Sequence, residues 1–390
     1  MNVVGLSSTT NTYIQARWSA FFEENPEYSF SHIEFGRVSK VYDWKPTKVD
    51  VSYPRIVLSD KPSQYESIKQ LFGLIRALFS ALDRISPDIV VLNGYQQPAT
   101  LAALVWSKLH RKPTILLSES KEDDAPRRWL SETIKRGLVS TYQSALVGGR
   151  RHKDYLVKLG MNNDAIFLGH NIVGNEAYHP SRISHLPSPL ETKKPFFLAI
   201  NRFITKKNIP TILSAYAQYV KKQTHQATAE SAVEPWDLIL CGDGALRPQI
   251  ETQIKSLDLE KRVHLPGFLQ PDELLPYFAH ASCFVHASTQ EQWGLVVNEA
   301  MAAGLPAIVS RCCGCFDELV VEGITGFGFD ANSPQELAAL MAKVGAPDAA
   351  LETMSQNTLT HIEKFGPSLF SRSLRKAIQH TLTPNSKYSA

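Results

Sequence analysis

No run of about 18 apolar residues occurs in the chain, so no helix of ordinary membrane-spanning length is expected. The opening residues, 1–6, carry neither a basic region nor a long apolar core, and no secretory leader is expected either. A G-x-G-x-x-G turn is missing after the first strand-like run, Val3 to Leu6. The loop there reads Ser7-Ser8-Thr9-Thr10-Asn11-Thr12, which argues against a nucleotide site in the first half. Cysteine is sparse: Cys241, Cys283, Cys312, Cys313 and Cys315, all in the second half. An odd number suits a reducing cytoplasm better than a disulfide framework. Cys312-Cys313-Gly314-Cys315 has no second Cys/His pair at zinc spacing, so no metal is expected. An excess of one charge is lacking too. The net charge of +3 gives no argument for nucleic acid as a partner.

What is present belongs to an ordinary globular chain. The hydrophobic and charged fractions, 43% and 20%, are those of soluble proteins, and 390 residues predict two domains. Apolar strand-like runs alternate with helical periodicity. Arg55 to Leu58, Pro87 to Asn93, Thr114 to Leu117 and Ser144 to Val147 read as strands. Tyr65 to Ile85 reads as an amphipathic helix, and others begin near Tyr13 and Thr100. That alternation predicts a parallel sheet with crossover helices. Asp123 or Asp124 is expected to cap a helix with Pro126 in its first turn. Gly148-Gly149 turns into a helix ending at Gly160, whose start carries Arg150, Arg151 and Lys153. That basic cluster is either a solvated helix start or a contact for an anionic acceptor or a membrane surface. Residues 184–194, with Pro187 and Pro189, read as a linker, and 224–234 as a polar surface insertion. Gly326 and Gly328 suggest a tight turn. An amphipathic helix is expected from about Ser368 through Leu374 and Ile378.

The most informative stretch is Ser288 to Pro306. Cys283 to His286 reads as a buried strand, Leu295 to Ala303 as a helix closed by Gly304, and Pro306 to Val309 as the next strand. Glu291 falls in the strand-to-helix loop and Glu299 inside the helix. In an open parallel sheet this loop lies where ligands bind. Gly294 and Leu295 would offer free N–H groups at a helix start, suited to phosphate. Glu299, about 7–8 Å deeper at about 1.5 Å per residue, suits a diol such as ribose. Glu291, at the rim, suits a second polyhydroxyl group.

The Glu291-x7-Glu299 segment resembles the donor-site motif of glycosyltransferase family 4, retaining enzymes of the GT-B fold. The resemblance implies an α/β architecture of two Rossmann-like domains facing a cleft, with a C-terminal helix returning to the first. The expected boundaries are 1–184 for an acceptor-binding domain, 185–367 for a nucleotide-sugar-binding domain, and 368–390 for the returning helix and tail. Arg202-x4-Lys207 resembles the element that holds the donor diphosphate, with Asn208 where relatives carry glycine. Gly242, Gly244 and Phe268 fall where the family places base and phosphates, and Arg311 to Leu319 in a loop that is glycine-rich in relatives. Relatives often carry an acceptor-facing histidine near the end of the 114–117 strand. Here Ser118-Glu119-Ser120 stands instead, so Glu119 either replaces that histidine or caps the turn. Arg17, Ser118 and Arg128 are the other acceptor-side candidates. Gly174 replaces a common aspartate.

The implied activity is retaining transfer of a sugar from a UDP- or GDP-sugar to a hydroxyl acceptor: a glycan, a lipid-linked molecule or a small molecule. Glu291, Arg202, Lys207 and Glu119 are its catalytic candidates, and no cofactor is implied. The expected setting is bacterial envelope or exopolysaccharide assembly in the cytoplasm, with peripheral contact at the inner membrane face. Two alternatives stand beside it: a sugar-nucleotide epimerase of the same fold, and a non-catalytic sugar-binding protein.

Overall fold

The computed structural model describes residues 1–36, 51–60, 67–190, 194–226 and 234–383. The chain divides into two compact units, Met1–Gly174 together with the chain from Phe365 onward, and Asn175–Lys364. The break at Gly174/Asn175 precedes the proline-bearing stretch expected as a linker, of which residues 191–193 lie outside the described residues.

The first unit is built on seven parallel strands: β1 (Asn2–Ser7), β2 (Ser29–Glu34), β3 (Arg55–Val57), β4 (Ile89–Asn93), β5 (Thr114–Ser118), β6 (Ser144–Val147) and β7 (Ile166–Leu168). Their order is β3-β2-β1-β4-β5-β6-β7. The central strands are short continuous apolar runs because helices cover both faces. On one face the helices Ile68–Ile85, Pro98–Leu109 and Arg150–Lys158 bury Leu78, Leu82, Ala103 and Leu156. On the other, the helix Thr12–Glu24 and the C-terminal helix Pro367–Leu382 enclose Trp18, Phe21, Phe370, Leu374 and Ile378. Each large apolar side chain buried by that last helix contributes about 1.5–3 kcal/mol. The returning helix is thus part of the first unit's core. Asn25 Nδ2 donates to Ser371 Oγ (2.8 Å), and Ser144 Oγ to the Ala377 carbonyl (3.2 Å).

The second unit has six parallel strands: β8 (Phe196–Ile200), β9 (Asp237–Cys241), β10 (Val263–Gly267), β11 (Cys283–His286), β12 (Ala307–Ser310) and β13 (Gly326–Phe329), in the order β10-β9-β8-β11-β12-β13. Both sheets follow the doubly wound Rossmann order, with the reversal between β1 and β4 in the first and between β8 and β11 in the second.

Several local expectations are corrected. The helix after β5 does not start at Asp123 or Asp124. Glu122–Asp124 forms a single 3-10 turn, Ala125 is extended ahead of Pro126, and the α-helix runs Trp129–Val139. Proline disfavours the helical region for the residue before it, which ends the first turn there. Gly326 and Gly328 lie inside β13 rather than in a turn. A Cβ on Gly326 would stand 2.0 Å from the Ala307 carbonyl oxygen, and one on Gly328 2.3 Å from the Phe316 ring. Of the expected 224–234 insertion, residues 224–226 continue the helix Ile209–Gln226, and 227–233 lie outside the described residues. The helix expected from Tyr65 is seen from Ile68, with 61–66 also outside them.

Candidate functional site

Every donor-side candidate of the second unit falls at the carboxyl end of its parallel sheet. Arg202 and Lys207 follow β8, Gly242 and Gly244 follow β9, Phe268 follows β10, and Glu291 follows β11. The two loops at the strand-order reversal are tied together. Lys207 Nζ donates to Glu291 Oε2, and the Thr289 N–H donates to the Lys206 carbonyl (2.9 Å). Asn208 makes this possible. It adopts φ +56°, a left-handed conformation that asparagine tolerates better than most residues. Its Nδ2 donates to the carbonyls of Ala287 (3.2 Å) and Ala331 (2.7 Å), and its Oδ1 accepts from Thr211 Oγ1 at the start of the next helix (2.8 Å). The asparagine therefore takes up a left-handed conformation and adds side-chain anchors that a glycine would lack.

Glu291 is nearly buried and crowded with donors. Ser288 Oγ donates to its Oε2 (3.1 Å), and His286 Nε2 lies 3.4 Å away. Burial alone would raise its carboxyl pKa. The contacts from His286 and Lys207 outweigh that and hold it well below the usual carboxylate range. Burial, reinforced by the Lys207 charge, pushes the His286 pKa down, so this imidazole stays neutral. The backbone around Glu291 is clamped from the loop after β12: the Gly314 N–H donates to the Glu291 carbonyl and the Cys315 N–H to that of Trp293, both at 3.1 Å. Cys313 and Cys315 are buried in this clamp as free thiols.

Gly294 caps the helix Leu295–Ala302 with φ +107° and no side-chain cap. A positive φ favours glycine, and the uncapped start leaves its first turn available to an anion. Glu299 is buried on this helix, and its Oε1 accepts from Tyr178 Oη (2.8 Å). Burial and the Glu299 charge push the tyrosine pKa up, so Tyr178 remains a donor. Tyr178 is edge-on to Phe278 with centroids 5.5 Å apart. No spacing rule connects Tyr178 to Glu299, and sequence reading missed it. Asn201 was missed as well. It is buried at the end of β8 with neither side-chain polar atom hydrogen-bonded, an arrangement that ordinarily costs stability. Its signal was a polar residue directly between an apolar strand and Arg202.

Gly242 and Gly244 approach the protein's own chain, where the sequence suggested close approach to a ligand. A Cβ on Gly242 would meet the Asn201 carbonyl oxygen at 1.8 Å, and one on Gly244 the Phe203 carbonyl oxygen at 2.7 Å. They let the β9 loop pack under the β8 loop. Arg202 and the Phe268 ring are exposed at the same end of the sheet.

In the first unit, two of the acceptor-side candidates come together. The Arg17 guanidinium is buried, with Nη1 3.4 Å from His170 Nε2. Glu119 Oε1 accepts from Asn171 Nδ2 (3.0 Å) and lies 3.4 Å from the same His170 nitrogen. Burial pushes the His170 pKa down to about 4, assisted by Arg17. Glu119 is brought down to about 2, with burial opposed and overcome by His170, Arg17 and Asn171. The sequence offered Arg17 as an acceptor-side contact or a surface arginine; the structure buries it, leaving Nε without a hydrogen bond. Ser118 is buried next to this cluster at the end of β5, its Oγ accepting from the Ser120 N–H (3.3 Å). Arg128 is exposed at the start of the Trp129–Val139 helix, away from these contacts. Among the described residues no group of His, Cys, Asp and Glu is arranged to hold a metal ion, and no helix is long and apolar enough to cross a membrane.

Residues 182–360, which hold all four donor-side charges, match the family model described as glycosyl transferases group 1. Among curated proteins, the chain is 26% identical over 213 residues to the alpha-monoglucosyldiacylglycerol synthase of Acholeplasma laidlawii, covering 54% of this chain and 50% of that one. It is 30% identical over 132 residues to the D-inositol 3-phosphate glycosyltransferase of Corynebacterium glutamicum, covering 33% and 31%. The chain thus spans half or less of the length of these relatives. Among solved structures, it superposes on the apo lipopolysaccharide outer core galactosyltransferase WaaB with a TM-score of 0.69 at 18% identity, covering 98% of this chain and 100% of that one. Anabaena HepE in complex with UDP and glucose gives 0.71 at 19% identity, covering 97% and 99%. At these identities the likeness carries the fold: two Rossmann-like α/β domains of the GT-B type.

Proposed function

We propose that the protein is a retaining glycosyltransferase that moves a sugar from a nucleotide-sugar donor to a hydroxyl acceptor. The observation that carries this reading is the joining of Lys207 and Glu291 across the strand-order reversal of the second sheet, beside an uncapped helix start and a buried Glu299. Lys207 and Arg202 neutralise the charge that develops on the departing diphosphate, together with the N–H groups at Gly294 and Leu295. Preorganised donors of this kind typically lower a barrier by about 3–4 kcal/mol each. Two cations at the leaving group make a metal unnecessary to the scheme. Glu299, steadied by Tyr178, accepts from the ribose hydroxyls. Glu291 accepts from hydroxyls of the donor sugar, and Phe268 faces the base. The first unit supplies the acceptor side. The known binding of UDP and glucose by the HepE homologue favours a UDP-sugar, and the relatives' names favour a glycan or glycolipid acceptor in bacterial envelope assembly.

The test is incubation with a panel of UDP- and GDP-sugars and hydroxyl acceptors, following nucleoside diphosphate release and the product's anomeric configuration by NMR. Release of diphosphate with an anomeric linkage matching the donor's is expected. Interconversion of sugar nucleotides without acceptor would make the protein an epimerase. Binding without turnover across the panel would make it a sugar-binding protein.

A further inference from the structure

A helix on the surface of a globular unit ordinarily turns its apolar stripe inward. The helix Trp129–Val139 does the reverse. Its only fully buried residue is Val139, while Trp129, Leu130 and Ile134 are 79%, 56% and 57% exposed. These three side chains lie at positions i, i+1 and i+5, on one side of the helix. The opposite side is moored by polar contacts. Tyr155 Oη donates to Glu132 (2.9 Å), Lys135 Nζ donates to Tyr155 Oη (3.1 Å), and the Arg127 guanidinium lies over the Tyr155 ring at 4.4 Å. The inner side of this helix is therefore fixed by charge and hydrogen bonds, with Leu138 and Val139 packed on the core at its last turn, and Trp129, Leu130 and Ile134 are presented to the outside.

The surroundings of that apolar side are basic. Residues 121–158 contain nine lysines and arginines against five aspartates and glutamates, more net positive charge than the +3 of the whole chain. Arg128 is exposed just ahead of this helix and Arg136 on it, and Arg150 and Lys158 are exposed on the helix Arg150–Lys158 of the same sheet face. Glu122, Asp123 and Asp154 are exposed nearby, Lys158 is paired with Glu122, and Lys121 is buried, so the wider patch is mixed and its positive charge is carried chiefly by Arg128 and Arg136 beside the apolar side chains. Outward Trp, Leu and Ile edged by arginine are the composition of a helix that lies in a lipid interface, its aromatic ring at headgroup depth and its cations on anionic lipid phosphates.

We propose that the Trp129–Val139 helix docks the first unit on an anionic bilayer surface, with Trp129, Leu130 and Ile134 inserted among the headgroups. This goes beyond the catalytic reading and does not depend on it, because docking is measured without turnover.

The test is flotation of the full chain with vesicles of phosphatidylcholine alone and with vesicles containing phosphatidylglycerol. The chain is expected to float with the anionic vesicles and to be released by high salt. The double variant Trp129→Glu/Ile134→Glu is expected to bind about tenfold or more weakly. Both positions are exposed, so the variant should keep the wild-type far-ultraviolet circular dichroism spectrum, and that measurement separates lost docking from lost folding. Failure of the wild type to float with anionic vesicles, or equal flotation of the variant, overturns the proposal. So does a concentration-dependent dimer in light scattering that the same substitutions abolish, since this face would then belong to a second copy of the chain.

Discussion

The ion pair between Lys207 and Glu291 joins two loops that the chain separates by more than 80 residues, and its removal has a calculable cost. The two side chains are 12% and 14% exposed. Breaking a fully buried pair by deleting one partner costs about 3–5 kcal/mol. Here Ser288 and His286 continue to serve the Glu291 carboxylate, so Lys207→Met is expected to cost less, about 2–3 kcal/mol. For a unit of this size that corresponds to a fall in Tm of roughly 5–10 °C. Glu291→Gln leaves the lysine facing a neutral amide and should cost about 1–2 kcal/mol. The double variant removes both charges together and should recover about 1–2 kcal/mol relative to the sum of the singles. Circular dichroism melts of the four proteins at one pH close the cycle. Additivity within about 0.3–0.5 kcal/mol would show the two residues to be independent and would refute the pair as the clasp between the loops. A pH series adds a sign. The folded-state pKa of Glu291 lies below its unfolded value of about 4.3, so the clasp stabilises above that pH and is lost as pH falls below it.

Three further outcomes follow from the geometry. Gly242→Ala would set a Cβ against the Asn201 carbonyl oxygen at φ +134°, and should lower stability by about 3 kcal/mol or more, read as a Tm shift, while Gly137→Ala, open on all sides, should not. Tyr178→Phe removes the donor to Glu299 and should weaken UDP binding by calorimetry by about 1.5–3 kcal/mol, if the carboxylate loses its orientation for ribose. In the first unit, burial lowers the pKa of both His32 and His170 to about 4, below the unfolded value of about 6.5. Stability is therefore full above about pH 6.5 and declines as pH falls toward 4, and a melt series over that window should show the decline diminished in His170→Gln.

The parts of this molecule readable in advance were those whose physics is local. An apolar strand, a glycine, an apolar helix and a second strand define the β-α-β unit around Glu291 and Glu299 by periodicity alone. Asn208 was noticed only through the resemblance, as an asparagine where relatives carry glycine, and its left-handed φ came from the structure. The rest depended on what lies opposite in space. Gly326 and Gly328 looked like a turn, since a sequence does not reveal that Ala307 and Phe316 press against a strand. The helix after β5 was placed too early because its acidic cap signals were real, but Pro126 stopped the turn they began. Tyr178 and Glu299 are 121 residues apart, and Asn201 is conspicuous only once its amide is seen to be buried and unpaired. Trp129, Leu130 and Ile134 carried no expectation, and their outward placement is visible only once the structure shows which side of the helix meets Tyr155.

The central claim is that the second unit holds an activated sugar by its diphosphate and ribose. Isothermal titration of the full chain with UDP and GDP tests it most directly, with Lys207→Ala and Glu299→Ala as comparisons. Binding of at least one nucleotide, weakened about tenfold or more by each substitution, is the predicted result. Absence of binding by both nucleotides, or affinity unchanged in both variants, would contradict it.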